Sequence, residues 1–512
     1  MTRIVQVGGA TLSEDDVVAV ARHDARVAFA PGVLGTIAAA RRAIEDLAAS
    51  DQPVYGVSTG FGALATEHIP AERRVQLQQS LIRSHAAGSG PEVEREVVRA
   101  MMLLRLATMA TGRTGVRPVV AETYGALLNA GITPIVHEYG SLGCSGDLAP
   151  LAHCALTLIG EGWVRDAAGL RRPSAEAMAA AGIEPVTLAE KEGLALINGT
   201  DGMLGMLSLA CHDLARLLTT ADLAAAMSVE ALMGTHHAFA ADLMALRPQV
   251  GQQDAAANMR ALLADSPLIA SHQVPDCPIV QDAYSLRCAP QVAGAGRDTL
   301  AHARVVAARE RAAAIDNPVI APDGRVESNG NFHGAPVGYV LDFLAIAVAD
   351  LASISERRTD RFMDTKRSNG LPPFLAGDAG VDSGHMILQY MQAGVVAELK
   401  RLAVPASVDS IPSSAMQEDH VSLGWHAARK LRRALDGLAR VLAGEALTAA
   451  RALDLRDHPP AAGTAAVRDR IRAEVDGPGP DRFLAPEIEA VVELVRSGEL
   501  VRAAEAAIGP LA

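Results

Sequence analysis

Apolar positions along the chain keep two different rhythms, and the change falls near residue 200. Before it, short strand-like runs such as Arg3 to Val7 and Ile132 to Val136 alternate with helical stretches and Gly/Pro turns. After Gly202 the pattern becomes helical. No proline occurs between Pro185 and Pro248, and Leu207, Cys211, Leu214 and Leu218 recur at i, i+4, i+7 and i+11. Leu209, Ala210, Ala215 and Leu217 cover the opposite side, and a helix apolar nearly all round belongs inside a bundle. Similar patterns run from about Gln291 to Ile315, Val337 to Arg358, Ser383 to Ala403 and His420 to Leu455. The prediction is a mainly α fold: a smaller mixed N-terminal domain over 1–200, then a long helix bundle over 201–512. So much apolar helix surface also predicts burial between subunits. Asp166 to Pro185 reads as an exposed excursion, and the chain beyond Asp457 as Pro/Gly-punctuated and then helical.

Composition narrows the function classes. The 512 residues are 49% hydrophobic and 21% charged, enough for a large core. A formal charge of −13 argues against nucleic-acid binding, because no basic surplus exists to neutralise phosphates. Five cysteines (Cys144, Cys154, Cys211, Cys277 and Cys288) contain no C-x-x-C pair, so neither a disulfide framework nor a zinc or other metal site is expected. A reducing cytoplasm is the expected compartment. Met1 to Val7 lacks the apolar core of a signal peptide, and Asp342 and Asp350 interrupt the longest apolar stretch, so no membrane span is expected.

The candidate chemistry is concentrated in Gly140 to Leu151, sequence GSLGCSGDLAPL. Gly146 has no Cβ, so its amide nitrogen can approach the carbonyl carbon of Cys144. Attack there closes a five-membered ring. Loss of water from the ring and from Ser145 leaves an exocyclic methylene, an electrophile made from the chain itself. Asp147 follows directly, suited to orienting the closure or to capping a helix that starts near Leu148, with Pro150 in its first turn. Tyr55 sits in a loop, YGVSTGFG, too glycine-rich for a helix interior and suited to closing over a site. Arg287, in QDAYSLRC, has the planar fork that grips a carboxylate through two bonds. Ser414 to His420 reads as the opening of a helix, with Glu418 at its N-terminus.

These separated motifs together resemble the aromatic amino acid ammonia-lyases that act on histidine and phenylalanine. In that family the triplet becomes 4-methylidene-imidazole-5-one (MIO). The usual triplet is Ala-Ser-Gly; Cys144 departs from it, but its side chain stays outside the ring. The resemblance implies MIO formation from Cys144, Ser145 and Gly146 with Asp147 assisting, no pyridoxal phosphate, and a homotetramer with sites shared between chains. It further implies Tyr55 as base or proton relay, Tyr284 beside the MIO and the substrate amine, and Arg287 on the substrate carboxylate. Asn198, Gln281 and Phe332 would line the substrate, and Glu418 would bind the substrate side chain or take a proton. His85, after Ser84, would contact the substrate side chain; Ser-His and Gln417-Glu418 fit the histidine branch, because an imidazole offers hydrogen-bond partners that a phenyl ring lacks. The expected reaction is deamination of L-histidine to trans-urocanate. Alternatives are a tyrosine or phenylalanine ammonia-lyase, a 2,3-aminomutase on the same scaffold, or a catalytically silent helical oligomer.

Overall fold

A computed structural model describes residues 3–50, 54–273 and 280–512; Cys277 lies outside them. The fold is mainly helical. Among the described residues the sheets are small, with two or three strands each, such as the parallel pair Ile4–Val7 and Arg26–Phe29. Ile132 to Val136 contributes only the two-residue strand Thr133–Pro134, which pairs with Trp163–Arg165. The excursion after Asp166 closes as an antiparallel pair, Trp163–Arg165 with Arg171–Pro173, followed by the helix Ser174–Ala180.

The chain divides into two compact units. One is Met1–His212, Arg304–Asp342 and Pro405–Arg429; the other is Asp213–Ala303, Phe343–Val404 and Lys430–Ala512. The chain crosses between the units five times: four crossings fall inside helices, and one falls at Val404–Pro405 just after Met386–Leu402. The long helices form close to where their periodicity places them: Asp201–Ala231, Ala289–Arg311, Ala335–Met363, Met386–Leu402 and Gly424–Asp454. Leu207, Cys211, Leu214 and Leu218 are all buried.

The first unit contains a helix with an unusual core. Arg95–Ala110 is apolar on nearly every side, yet Arg99 and Arg105 are buried within it. Arg99 donates to the carbonyls of Val20 and Leu128 at 2.9 and 3.1 Å. Arg105 donates to Ala195, Asn198 and Ile315 carbonyls, each at 3.0 Å, and pairs with Asp201 at 2.9 Å. A buried guanidinium is tolerated only when its donors are matched in this way. In the second unit the buried Glu445 does the corresponding work, accepting from Ser228 Oγ at 2.7 Å and Arg358 Nη2 at 2.8 Å.

One helix among the described residues, Ala335–Met363, is long and apolar enough to cross a membrane, and 61% of its most apolar window is buried inside the protein. Asp342 therefore does not break it. Its carboxylate accepts from the Ala406 and Ser407 amides at 2.9 and 2.8 Å, which lets a charged residue sit in a buried helix.

Candidate active site

The first unit encloses a cavity of about 620 Å³ whose lining includes Tyr55, His85, Ser145, Asn198 and Glu418. These five lie far apart in sequence, and each is held by its own local structure.

Residues 143–146 form a tight turn with bridge pairings of Gly143 and Cys144 to Gly146. Gly143 and Gly146 take φ of +71° and +79°, where only glycine is unstrained. The turn is clamped from two sides. A Cβ on Gly143 would lie 2.2 Å from Ser422 Oγ, and one on Gly146 only 2.0 Å from the Gly199 carbonyl oxygen. Leu423 N donates to Leu142 O at 3.0 Å, and Asp147 N to Gly199 O at 2.7 Å. Gly199 in turn is pressed against Arg105, whose Nη2 would meet a Cβ there at 2.3 Å. Backbone so tightly packed, with no side chain on residue 146 and with Ser145 facing the cavity, suits a triplet whose backbone must fold onto itself.

Asp147 is fully buried. It occupies the N-cap position of Leu148–Leu158 but does not cap that helix. Its Oδ1 accepts from Ser141 Oγ at 2.9 Å and its Oδ2 from Met203 N at 2.8 Å, so it satisfies the first turn of Asp201–Ala231 instead. Burial nevertheless prevails over these donors and pushes its carboxyl up to about 7.

Asn198 is buried at the end of Glu192–Ile197. Its Nδ2 donates to Asn317 O at 2.8 Å, while Oδ1 is buried without a partner in the protein. An orphaned acceptor on a cavity wall is a place for a ligand donor.

His85 ends the helix Arg74–His85. Its Nδ1 lies 2.9 Å from Leu81 O and 3.1 Å from Ser84 Oγ. A carbonyl requires a donor, so Nδ1 carries the proton and Nε2 is left as an acceptor. Burial lowers the pKa of the ring below its ordinary value, against the raising effects of Leu81 O and the Glu418 charge, so the neutral acceptor form is favoured.

Two less anchored segments complete the lining. The Tyr55 hydroxyl accepts from Gly62 N at 3.2 Å, and its ring meets Phe61 edge-on. Burial raises the Tyr55 pKa; the Gly62 amide lowers it and the Glu418 charge raises it further. Glu418 does not open a helix. The long helix starts only at Gly424, and Glu418 sits in an antiparallel bridge to Ser413, whose Oγ donates to Glu418 Oε2 at 3.0 Å. Between them Ser414, Ala415 and Met416 all take left-handed φ of 49°, 51° and 69°. Side-chain-bearing residues there cost about 1–2 kcal/mol each. This turn displaces the helix start that the acidic run suggested. The Cys144 thiol also contacts Glu418; burial first, then that negative charge, pushes it up to about 12, so it stays a protonated donor.

The family pattern described as aromatic amino acid lyase matches residues 12–473. This chain belongs to the aromatic amino acid lyase family. A histidine ammonia-lyase from Streptomyces avermitilis is 64% identical over 99% of both chains. Among solved structures, tyrosine aminomutase from Streptomyces globisporus superimposes with a TM-score of 0.93 at 38% identity, covering 98% of each chain. Histidine ammonia-lyase from Trypanosoma cruzi gives 0.90 at 36% identity, over 99% of this chain and 96% of its own. The family is MIO-dependent, and the clamped 143–146 turn, the Cβ-free Gly146 and the orphaned Asn198 acceptor fit such a group.

Not every residue expected at the site reaches this cavity. Gln281, Tyr284 and Arg287 lie in the second unit. There Arg287 Nε donates to Asp282 O at 2.9 Å, its guanidinium stacks over the Tyr284 ring at 4.5 Å, and the Gln281 amide oxygen faces it. Tyr284 is 72% exposed. Phe332 is half-buried in the first unit and is not part of the cavity wall. Arg105 was legible as a basic residue inside an apolar helix, but nothing in the sequence tied it to Asn198. Leu81, Leu148, Leu194 and Ile197, which form the apolar wall, look like ordinary core.

Proposed function

We propose that this protein deaminates L-histidine to trans-urocanate and ammonia, with Cys144, Ser145 and Gly146 supplying the MIO. The observation that carries the reading is the cavity lined by Ser145 together with two imidazole-compatible groups, His85 and Glu418. Once formed, the group supplies an electrophile that makes an amine a competent leaving group. The other roles belong to ordinary side chains. His85 Nε2 accepts the N–H of the substrate ring, and Glu418 accepts from the second ring nitrogen when the ring is protonated, or takes a proton. Asn198 Oδ1, the free acceptor, binds the substrate ammonium, since its Nδ2 is already committed to Asn317. Tyr55 is the base or proton relay at the β-carbon. Burial, the largest effect, and the Glu418 charge hold its pKa above the ordinary value although the Gly62 N–H favours its phenolate, so it rests as a neutral phenol. Asp147 acts in building the turn rather than in turnover.

The substrate carboxylate needs a cation, and Arg287 is the candidate. We place Gln281, Tyr284 and Arg287 at a neighbouring subunit's cavity, in a homotetramer with shared sites. The exposed Tyr284 supports this, as do Tyr339, Phe343 and Ile346, an exposed apolar stripe at i, i+4 and i+7 on one helix. The protein works in the cytoplasm, without nucleic acid, membrane or bound metal, and Phe332 packs near the substrate only in the assembled form.

The aminomutase likeness and the tyrosine- and phenylalanine-lyase alternatives share the scaffold, but an apolar or phenolic ring leaves His85 or Glu418 without a partner. The test is incubation with L-histidine, L-tyrosine and L-phenylalanine separately, following ammonia and the ultraviolet absorbance of the conjugated acid. Urocanate from histidine alone is expected; cinnamate or coumarate overturns the substrate assignment.

A further inference from the structure

Two unusual backbone features meet at one contact beside the cavity. Gly62 takes a φ of +53°, and a Cβ there would lie 2.5 Å from Ser414 Oγ. Ser414 itself is left-handed, the first of three such residues in succession. Neither feature has a local cause: the 414–416 turn contains no glycine, and Gly62 packs against no other side chain as closely as against Ser414. Each permits the same close approach, and across it Ala63 N donates to Ser414 Oγ at 3.3 Å.

The neighbouring bonds give this contact a consequence. Successive amides of the glycine-rich loop diverge. Gly62 N donates to the Tyr55 hydroxyl at 3.2 Å, while Ala63 N donates to Ser414. On the other side, Ser413 and Glu418 are bound through both backbone and side chain, Ser413 N to Glu418 O at 2.8 Å and Ser413 Oγ to Oε2 at 3.0 Å. A continuous path therefore links Tyr55 to Glu418, and Ser414 Oγ is its junction.

We propose that Ser414 is a positioning residue that latches the Tyr55 loop to the turn carrying Glu418, and so fixes the two groups against each other. Ser414 lies on the cavity lining, but its hydroxyl is committed to the Ala63 amide, and it acts through the Gly62–Ala63 peptide. This rests on the reading of the cavity as the deamination site. A loose latch leaves substrate free to bind through His85, while the phenol is aligned for only part of the time, so the effect falls on kcat rather than KM.

The experiment compares Ser414→Gly, Ser414→Asn and the wild type by amide hydrogen exchange and by kcat and KM for L-histidine. Glycine removes the CH2OH side chain and relieves the left-handed strain at the same position, so the fold is preserved. Asparagine tolerates left-handed φ and its Oδ1 can replace the acceptor. In Ser414→Gly, exchange at Ala63 and Gly62 is expected to accelerate about tenfold and kcat to fall about tenfold, with KM within about twofold. Ser414→Asn is expected to restore most of both. Wild-type exchange at Ala63 in Ser414→Gly overturns the latch, and so does faster exchange with unchanged kcat. Exchange needs no substrate, so faster exchange in a protein that turns over none of the aromatic amino acids upholds the contact and defeats the deamination reading instead.

Discussion

Two walls of one cavity are built on opposite principles. The wall around Ser145 and Asn198 is locked: Gly143 and Gly146 are wedged between Ser422 and Gly199, Asp147 is fully bonded, and Arg105 holds three carbonyls beneath. The wall carrying Tyr55 and Glu418 is tethered by few bonds, and its 414–416 turn holds three left-handed residues. The difference follows from what each must do. A backbone that closes on itself needs every neighbouring atom fixed beforehand. Groups that exchange protons and admit substrate need the freedom that low local stability provides. Left-handed residues that carry side chains sit on the Glu418 wall, while the Ser145 wall is mostly bonded and leaves Asn198 Oδ1 as an open acceptor.

This contrast can be broken at several points, with unequal results. Ser145→Ala removes the electrophile outright; turnover is expected to fall by at least about 10³-fold, with melting temperature little changed. Initial rates at saturating L-histidine check this. Arg105→Met keeps the volume but abandons three buried carbonyls and Asp201; a stability loss of about 3–5 kcal/mol is expected in denaturant titration. Ser413→Ala on the Glu418 wall should lose less than about 1 kcal/mol in the same titration. Equal losses would erase the distinction between the walls.

Asp147 sharpens the picture through pH. Burial raises its folded pKa to about 7, above the ordinary carboxylate value of about 3.9. The neutral form is therefore the one that stabilises the fold: its contribution is complete below about pH 4 and is lost as pH rises towards 7. Asp147→Asn imitates that neutral form. Its stability relative to wild type should improve by about 1–3 kcal/mol between pH 4 and 8, read from paired melting curves. His85→Leu should give a fall of about 10–100-fold in kcat/KM for L-histidine with stability unchanged, from the loss of one acceptor. The acid limb of wild-type kcat/KM should lie below the ordinary histidine value, because burial lowers the pKa of His85.

Much of this was legible in the sequence, and the exceptions have physical causes. The long helices declared themselves because their apolar faces repeat with helical period. The Gly140 to Leu151 loop stood out because the proposed cyclisation needs particular residues in consecutive positions. Glu418 was misplaced at a helix start because an acidic run before an apolar stretch normally marks one; the left-handed turn that displaces it has no glycine to announce it. Asp147 looked like a cap for its own helix, and only the tertiary fold brings the Met203 amide within reach. The discontinuous units were hard to see for a related reason: four of their five boundaries fall within continuous helices.

The claim on which the rest depends is that Cys144, Ser145 and Gly146 become the electrophile. Intact mass, followed by mass of the proteolytic fragment containing residues 140–151, tests it most directly. The account predicts a deficit of two waters confined to that fragment in active wild-type protein, absent in Ser145→Ala. Active protein whose fragment carries the full unmodified mass would contradict it.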